Sequence, residues 1–577
     1  TAPASSNYLH INTTIPTQVE SGGTAISGDD YDGDTRNATT PDIGADEFAG
    51  IPADFSAPVI SYTALSNTCA TTNITLSGVI ITDVSGVPLS GGNVPRIYYK
   101  KGVGGSWFSQ PGANTGGTAT NGTWSFTINN ADMGGVAGND IIYYYIIAQD
   151  IVTTPNVGSN PAAGLVATGV NSVTTHPTSP NSYTITPTLS GLYTVGSGGD
   201  FATLTAAVAA YNNSCLGGAV TFNLIDAAYS GSETFPISIN VNANASAINT
   251  LTIKPAATAA ITGSVSSGGL IRLNGADYIT IDGSNSGGTD RSLTITNSAT
   301  VAPTAVSIQS LGTGAGATNN TIKNLNISTG VATTKGFGIS VGASTPGTGG
   351  ADNDNTSIQN NNITVATVPV YAAGTASSST GGLDNLLITG NTLNTTNTTL
   401  ANIGLQLGYA LNSSVQLNTI TVSTSVSDEP VGISLETGFV SSEVSRNNIT
   451  QVYTSATGGY GGRGITIGTG TTNSALIIAN NMIAGVNGSN WNVFDNSSSM
   501  GIAIGALNST NLTTTAGGIS LYYNSVNMAG TYSSTTNCLT AALYIGTGAS
   551  ALNIRNNIFA NSLNNTGTGT GSKAYAI

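Results

Sequence analysis

The chain has 577 residues, a formal net charge of −14 and only 7% charged residues, where an average soluble domain has roughly 25%. With 13 Lys and Arg residues it offers few counter-charges to a phosphate backbone, so no nucleic-acid partner is expected. The longest apolar stretches, such as Ile141 to Ala148, are far shorter than the roughly 18 residues of a membrane span, so none is expected. Many Asn, Thr, Ser and Gly residues favour short β-strands and turns.

The first fifty residues contain alternating carboxylates around a glycine, a pattern that presents oxygen atoms to calcium. These residues are Asp30, Asp32, Gly33 and Asp34. Asp46 or Glu47 could supply the bidentate acid that a calcium site needs. The alternative is that Arg36 pairs with Asp46 or Glu47 and locks a turn. Both interpretations predict a structural role.

Residues 51–187 show strands of six to ten residues separated by turn clusters, which is typical of a β-sandwich. The alternating segments are Ile74 to Ile81, Pro95 to Lys101, Thr123 to Ile128 and Asp140 to Ala148. Trp124 and the run Tyr143 to Tyr145 are interpreted as core and edge packing rather than as a carbohydrate-stacking platform. Residues 152–187 either finish the sandwich or form a semi-rigid linker.

One segment predicts a helix at the start of residues 188–577. Phe201, Leu204, Val208 and Tyr211 recur at helical spacing, and Asp200 or Thr203 is available as the N-cap. Strand-like segments follow at once. The helix is therefore expected to cover the N-terminal end of a solenoid.

A recurring turn then appears at intervals of about 27 to 45 residues, which predicts a solenoid of about ten coils. In each copy an aliphatic residue is followed three positions later by Asn and then by a second apolar residue. We expect the Asn side chains to bond to one another in a ladder and to adopt the left-handed backbone region. The predicted ladder is Asn361, Asn391, Asn418, Asn447, Asn480, Asn524 and either Asn556 or Asn557.

A second theme falls between successive Asn turns and predicts another strand in each coil. It appears as GFGISVG at 336–342, NIGLQLG at 402–408 and RGITIGTG at 463–470. Its apolar residues alternate, so one face is expected to point into the core.

The three cysteines lie far apart and form no CxxC or Cys/His cluster, so a zinc site is not expected. Cys69, Cys215 and Cys538 are interpreted as small buried hydrophobic residues. The alternative is a Cys69–Cys215 bridge between neighbouring domains.

Three stretches resemble known families. Asp30 to Arg36 with Asp42 to Glu47 resembles the DxDGxxR…DIGAxE signature that closes bacterial surface β-helices of the choice-of-anchor type. Residues 55–150 resemble Ig-like modules of giant proteins secreted by gliding bacteria through type 9 secretion. Val195 to Thr205 resembles the opening segment of the pectin-lyase-like superfamily.

The resemblances imply an all-β protein in three parts. Residues 1–50 would close a preceding or neighbouring β-helix, residues 51–187 would form an Ig-like or fibronectin-III-like sandwich, and residues 188–577 would form a right-handed parallel β-helix. The closing-motif residues are Arg36, Asp42, Asp46 and Glu47. This order of parts is expected for a segment of a tandemly repeated protein whose ends do not coincide with the ends of one repeat.

Residues for catalysis are sparse. The chain has two histidines, His10 and His176, and neither lies in the predicted β-helix, so no Ser-His-Asp or Cys-His arrangement is expected there. One group of charged residues is interpreted as a solvated loop with ion pairs: Asp428, Glu429, Glu436, Glu443, Arg446 and Arg463. Asp352 and Asp354 could bind calcium weakly. The sequence therefore predicts that the chain is not an enzyme and has no cofactor besides structural calcium.

The expected function is a structural and adhesive repeat unit of a giant secreted protein at the cell surface. Its expected partners are further copies of itself, as tandem units or in a homo-oligomeric filament, and a surface polysaccharide or another cell. Residues 1–50 could cap a neighbouring molecule head to tail. Two alternatives remain: a polysaccharide-binding or -degrading enzyme, and a subunit of a self-assembling appendage that grips surfaces or prey.

Overall fold

A computed structural model describes residues 10–331, 333–395, 400, 402–456, 460–488, 498–505 and 513–577. The chain forms two compact units, Thr1–Pro187 and Thr188–Ile577. Each unit has its own hydrophobic core.

Two antiparallel sheets make up the first unit from residue 59 onward. The first sheet contains, in spatial order, Val59–Ser61, Ile74–Thr82, Asn121–Ile128 and Ala113–Gly117. The second contains Asn181–Thr184, Ile141–Gln149, Arg96–Lys101 and Phe108–Pro111, with Val157–Asn160 also paired to Ile141–Gln149. A short ribbon pairs Val166–Ala167 with Val173–Thr175, and Asn130–Met133 is a 3-10 helix.

The core of this unit follows from strand alternation. In Asn121–Ile128 every second residue is buried, including Trp124 and Phe126. These side chains pack with Tyr99 and Tyr144 of the second sheet. Because a strand points successive side chains to opposite faces, one face of each sheet supplies this core.

The α-helix Leu204–Asn212 lies at the start of the second unit. The Thr203 hydroxyl accepts the backbone N–H of Ala206 at 3.0 Å, so Thr203 rather than Asp200 is the N-cap. The Glu233 carboxylate accepts the N–H groups of Leu204 and Thr205 at 2.8 and 2.7 Å. The buried helix residues join the core of the first coils.

Three parallel sheets run the length of the second unit and form a β-solenoid of about eleven turns. Sheet A contains Thr188–Val195, Cys215–Leu224, Leu251–Pro255, Ile279–Asp282, Thr321–Lys323, Ser357–Gln359, Leu387–Thr389, Ser414–Gln416, Glu443–Ser445, Leu476–Ala479, Ala516–Tyr522 and Ala549–Arg555. Sheet B contains Ala228–Tyr229, Ala259–Gly263, Leu293–Asn297, Leu325–Thr329, Asn362–Thr364, Thr392–Thr395, Thr419–Thr424, Asn448–Thr454, Met482–Ala484, Ser525–Tyr532 and Ile558–Asn565. Sheet C contains Ile237–Asn240, Gly269–Asn274, Thr304–Gln309, Phe337–Gly342, Val368–Ala373, Ile403–Gly408, Val431–Leu435, Arg463–Ile467, Met500–Ile504, Leu539–Ile545 and Lys573–Tyr575. A two-stranded ribbon joins Leu383–Asp384 to Ala410–Leu411.

The strand register places aliphatic residues of successive coils directly above one another. In sheet A, Ile322 pairs with Ile358, Ile358 with Ile388, and Ile388 with Val415. These residues are fully buried, so apolar columns continue from coil to coil. The prediction of an all-β parallel solenoid with very little helix is confirmed.

The strands of sheet C depart from the predicted alternation. Phe337–Gly342 and Val368–Ala373 are buried along their whole length, on the outer as well as the inner face. The connection after Phe337–Gly342 lies over the outer face, where the N–H of Gly347 donates to the Ser340 hydroxyl at 3.2 Å. Connections therefore cover this sheet and bury polar side chains beneath them.

Candidate functional site

The corner between sheets A and B contains a continuous column of side-chain amides. Its members are Asn361, Asn391, Asn418, Asn447, Asn481, Asn524 and Asn557. Each Nδ2 donates to the Oδ1 of the next member at 2.9 to 3.0 Å. The backbone N–H of the same residue donates to that oxygen as well, at 2.9 to 3.1 Å.

Every amide of the column also donates to a backbone carbonyl in sheet A. For Asn418 the acceptor is Ile388 at 3.0 Å, and for Asn447 it is Val415 at 3.0 Å. Asn418 is fully buried and Asn447 is 1% exposed. Because each buried donor and acceptor has a partner, the column stabilises the corner without an orphaned polar group.

Two predicted ladder positions are corrected. Asn480 and Asn556 lie one residue before the column, which passes through Asn481 and Asn557. Both adopt a left-handed backbone with φ of 57°, and Leu417 takes the same position with φ of 60°. The prediction gave both the ladder bond and the left-handed backbone to the same Asn. In the structure the residue before the column has the left-handed backbone, and the next residue forms the ladder bond.

In the first unit, Arg36 and two acids hold the loops of the predicted closing motif. Arg36 Nη1 lies 3.5 Å from Glu47 Oε2, and Nη2 donates to the Gly44 carbonyl at 2.9 Å. The Asp42 carboxylate is 5% exposed and accepts the N–H groups of Ser21 and Phe48 at 2.6 and 2.7 Å. Arg36 thus pairs with Glu47, and these groups join distant parts of the segment.

The predicted calcium ligands do not act together. Asp30 accepts the N–H groups of Asp32, Asp34 and Glu47 at 3.1, 2.8 and 2.8 Å, and the hydrogen bond from Glu47 is the main reason that the pKa of Asp30 is lowered. Among the described residues, Asp30, Asp32 and Asp34 do not bring three carboxylate oxygens within 4.8 Å of one another. Asp30 instead shapes the loop.

A different group of ligand-type atoms forms in the same segment. The ring of His10 lies 3.1 Å from Asp46 Oδ2 and 3.8 Å from Asp32 Oδ2. These three side chains line a cavity of ≈ 500 Å³ together with Tyr31 and Phe48. Of the two acids predicted as alternative partners of Arg36, Glu47 pairs with Arg36 and Asp46 contacts His10. Sequence reasoning missed this group because the two aspartates are far from His10 along the chain.

The predicted charged group around residues 428–463 is separated by the fold. Arg463 is 1% exposed in sheet C and forms an ion pair with Glu429. Glu443 and Arg446 lie on sheet A and its turn, where Arg446 contacts Gln416. The solvated-loop interpretation is therefore wrong for Arg463.

Glu436 lies at the edge of a cavity on the outer side of sheet C. It is 7% exposed and accepts Gln406 Nε2 at 2.9 Å and the Ser434 hydroxyl at 3.2 Å. Tyr371, Tyr409 and Glu436 line this cavity of ≈ 390 Å³. Burial, and then the charge of Glu436, raise the pKa of Tyr371. A carboxylate with aromatic neighbours can accept the hydroxyl groups of a polar ligand.

Sequence analysis missed Tyr371 and Gln406, although the register contains the signal. Tyr371 pairs with Gln406 and Gln406 with Ser434 on successive strands, which brings these residues beside Glu436. That alignment depends on connection lengths, which differ between coils.

The acids Asp352 and Asp354 organise a connection rather than standing free. Asp352 Oδ2 accepts the N–H of Gly314 at 2.6 Å, and Asp354 Oδ1 accepts the N–H of Asp384 at 2.7 Å. Burial, and then the charges of Asp384 and Asp352, raise the pKa of Asp354. Both acids line a cavity of ≈ 670 Å³.

His176 and the cysteines occupy structural positions. The His176 ring stacks on Trp107 at 4.6 Å and its Nδ1 lies 2.7 Å from the Tyr145 hydroxyl. Burial, and then the charge of Lys100, lower the pKa of His176. Neither Cys69 nor Cys215 carries a free thiol, which corrects their interpretation as small buried hydrophobic residues. The thiol of Cys538 is free and buried.

No family model and no curated protein match the sequence. Among solved structures, the complex of XylC with xylose has a TM-score of 0.38 and 10% identity, over 62% of this chain and 70% of that chain. The Agl-KA catalytic domain has a TM-score of 0.35 and 12% identity, over 86% and 91%. The tailspike protein gp49 from Pseudomonas phage LKA1 has a TM-score of 0.22 and 12% identity, over 89% and 67%.

The comparisons correct one expectation. The prediction that the chain is not an enzyme is contradicted, because the similar structures include a catalytic domain. Likenesses at these TM-scores assign no activity to this chain. The fold defines the class of protein, a chain that contains a parallel β-solenoid and an antiparallel unit. Within the described residues, no helix has the length and apolar character needed to cross a membrane.

Proposed function

We propose that this chain is a rigid structural and adhesive unit of an extracellular surface protein, of the kind that gliding bacteria secrete. In this proposal the solenoid winds right-handed, residues 51–187 act as an Ig-like spacer and residues 1–50 close a β-helix. The partners are further copies of the chain, as tandem units or a filament, and a polysaccharide or cell surface.

The observation that carries the proposal is the continuous amide column from Asn361 to Asn557. It runs beside apolar columns that are also unbroken, so stacked coils contribute side-chain as well as backbone bonds. Each coil contacts mainly its neighbours, and the low charge leaves few sites for proteases that cut at Lys or Arg. These properties suit a stable, protease-resistant structural domain of an extracellular protein.

The first test combines protease resistance with adhesion. The intact chain is treated with a broad-specificity protease, and beads coated with it are washed over polysaccharide films and cell layers. We expect a long resistant fragment covering the solenoid, and retention of the coated beads above that of albumin-coated beads. Rapid cleavage throughout residues 188–577 together with albumin-level retention would contradict the proposal.

A second function is favoured by the cavity at Glu436, namely binding or cleavage of a polysaccharide. The buried carboxylate, Gln406 and the two tyrosines offer hydrogen-bond groups and rings of the kind that sugars contact. Hydrolysis by the usual two-carboxylate route needs a second acid, and Glu436 is the single acid among the described residues that line this cavity, so binding is the simpler expectation.

This second function is tested by binding and sugar release on a polysaccharide panel. Glu436→Gln should weaken retention or abolish release, whereas Glu443→Gln, an exposed change on sheet A, should leave both unchanged. Equal behaviour of the two variants and the unaltered chain on every polysaccharide that binds would remove Glu436 from this role.

A further inference from the structure

Three carboxylates converge at one end of the antiparallel sheets in the first unit. Asp54 precedes the first strand, Asp83 directly follows Ile74–Thr82, and Asp150 directly follows Ile141–Gln149. Each offers an oxygen, and the three oxygens lie within 4.8 Å of one another. Asp83 is 9% exposed and Asp150 is 1% exposed. None of them belongs to the predicted closing motif or the solenoid.

Asp83 has a buried oxygen without a hydrogen-bond partner. Its Oδ1 accepts the Gly86 N–H at 2.7 Å and the Ser85 hydroxyl at 3.0 Å. Its Oδ2 is buried and accepts no hydrogen bond. A buried carboxylate oxygen is costly unless a donor or a cation compensates its lost hydration. This oxygen therefore lacks the donor or cation that would compensate its burial.

The surrounding charges do not supply one. Among the ion pairs of the described residues, none includes Asp54, Asp83 or Asp150. Burial raises the pKa of Asp83 against hydrogen bonds from Ser85 and Gly86, and the charges of Asp54 and Asp150 raise it further. Three like charges so close together repel one another strongly in a partly buried site.

Hydrogen bonds nevertheless hold the three acids in place. The Ser85 hydroxyl donates to Asp54 Oδ2 at 2.7 Å. Asn156 donates its backbone N–H to Asp150 Oδ1 at 2.9 Å and its Nδ2 to Asp150 Oδ2 at 2.6 Å. The same Nδ2 lies 3.0 Å from the Asp54 carbonyl. These hydrogen bonds hold the three acids close together without neutralising them.

We propose that Asp54, Asp83 and Asp150 form a calcium site. All three ligands are hard oxygen donors, which calcium prefers. Oxygens that lie within 4.8 Å of one another can share one calcium ion, whose bonds to oxygen are about 2.3 to 2.6 Å long. Magnesium usually keeps several waters and binds one or two carboxylates, so three carboxylates favour calcium. Bound calcium would join the segment before the first strand to both sheets.

The test uses the full chain after removal of metal with a chelator. Calcium binding is measured by calorimetry and by terbium luminescence, and the unfolding temperature is measured with and without calcium. We expect a Kd on the order of 10⁻⁴ M or tighter, and an unfolding transition of the first unit that rises by several degrees. Asp83→Asn should lose one bound ion and this rise.

The matched control is Asp32→Asn, because Asp32 belongs to the other group of ligand-type atoms in the same unit. It should keep the ion and the calcium-dependent rise. Asp54→Asn is the second variant, since Asp54 is less buried and its replacement is less able to disturb folding. It decides the matter if Asp83→Asn fails to fold in the chelator.

Three results would overturn the proposal. The first is a wild-type chain that binds no calcium and whose unfolding does not respond to it. The second is wild-type stoichiometry and an undiminished rise in folded Asp83→Asn or Asp54→Asn. The third is an equal rise with magnesium at the same concentration.

Discussion

The corner between sheets A and B repeats one short segment from coil to coil, whereas the outer face of sheet C is covered by connections of different length and sequence. At the corner, each amide between the two ends of the column bonds to an identical amide above and below. Under the connections, single polar groups such as Glu436 and Arg463 have individual partners. The corner therefore stabilises the solenoid through the same interaction in each coil, whereas the outer face of sheet C contains polar groups with partners that differ from coil to coil.

This difference predicts which substitutions destabilise neighbouring coils and which affect a single pair of residues. A change in the amide column leaves groups in two neighbouring coils without partners. A change under a connection affects one pair.

The largest effect is expected for Asn418→Leu. The change removes the acceptor of the Asn391 N–H and Nδ2 groups and the donor to the Ile388 carbonyl, all of them buried. We expect a loss of roughly 4 kcal/mol in the free energy of unfolding, measured by denaturant titration of the second unit.

The matched control is Asn240→Leu in the exposed pair of amides formed with Asn274, which should cost less than about 1 kcal/mol because water can replace the lost bond. Equal losses in the two variants would show that burial of the column does not set its contribution.

A slightly smaller effect is expected under the connections, for Arg463→Met. The change leaves the mostly buried Glu429 without its cation, so we expect a loss of about 3 kcal/mol. Adding Glu429→Gln in the same chain should recover part of this loss. A double variant that is less stable than Arg463→Met would contradict the assigned ion pair.

The third effect has the opposite sign. Leu417 adopts φ of 60° and is 52% exposed, at the position where Asn480 has φ of 57°. Leu417→Asn should raise the unfolding free energy by about 1 kcal/mol, because Asn tolerates this backbone region better than Leu. Asn480→Leu is the reverse control and should lower it by a similar amount.

The smallest effect is a pH dependence in the first unit. Because burial lowers the pKa of His176, the folded chain binds fewer protons than the unfolded chain below about pH 6.5. This contribution to stability is complete above that pH and is lost as the pH falls through the lowered folded pKa. His176→Phe keeps a ring on Trp107 but cannot titrate, so its unfolding temperature should fall less between about pH 7.5 and about pH 5.5. An equal fall in the unfolding temperature of both chains would show that a group other than His176 causes the pH dependence.

The repeated features of the fold could be predicted from the sequence. The spacing of aliphatic residues and Asn was sufficient for the solenoid and for Asn361, Asn391, Asn418, Asn447 and Asn524 as neighbours in one column. It failed at Asn480 and Asn556 because two consecutive Asn residues match the pattern equally well, and only the backbone conformation separates them.

The remaining sites depend on contacts between distant segments. Asp54, Asp83 and Asp150 each look like an ordinary turn residue beside a strand, and only sheet pairing brings them together. Glu436 becomes buried because connections cover sheet C, and loop paths leave little periodic signal in a sequence. Arg463 was predicted as exposed for the same reason.

Hydrogen exchange at the amide column measures the rigidity of the proposed structural unit, because that rigidity rests on the column. The backbone N–H groups of Asn391, Asn418 and Asn447 each donate to the side-chain oxygen of the next Asn. We predict that peptides containing them exchange among the slowest in the chain, and that Asn418→Leu accelerates exchange in both adjacent coils. Exchange as fast as in the exposed connections, with no response to Asn418→Leu, would contradict a rigid, column-stabilised solenoid.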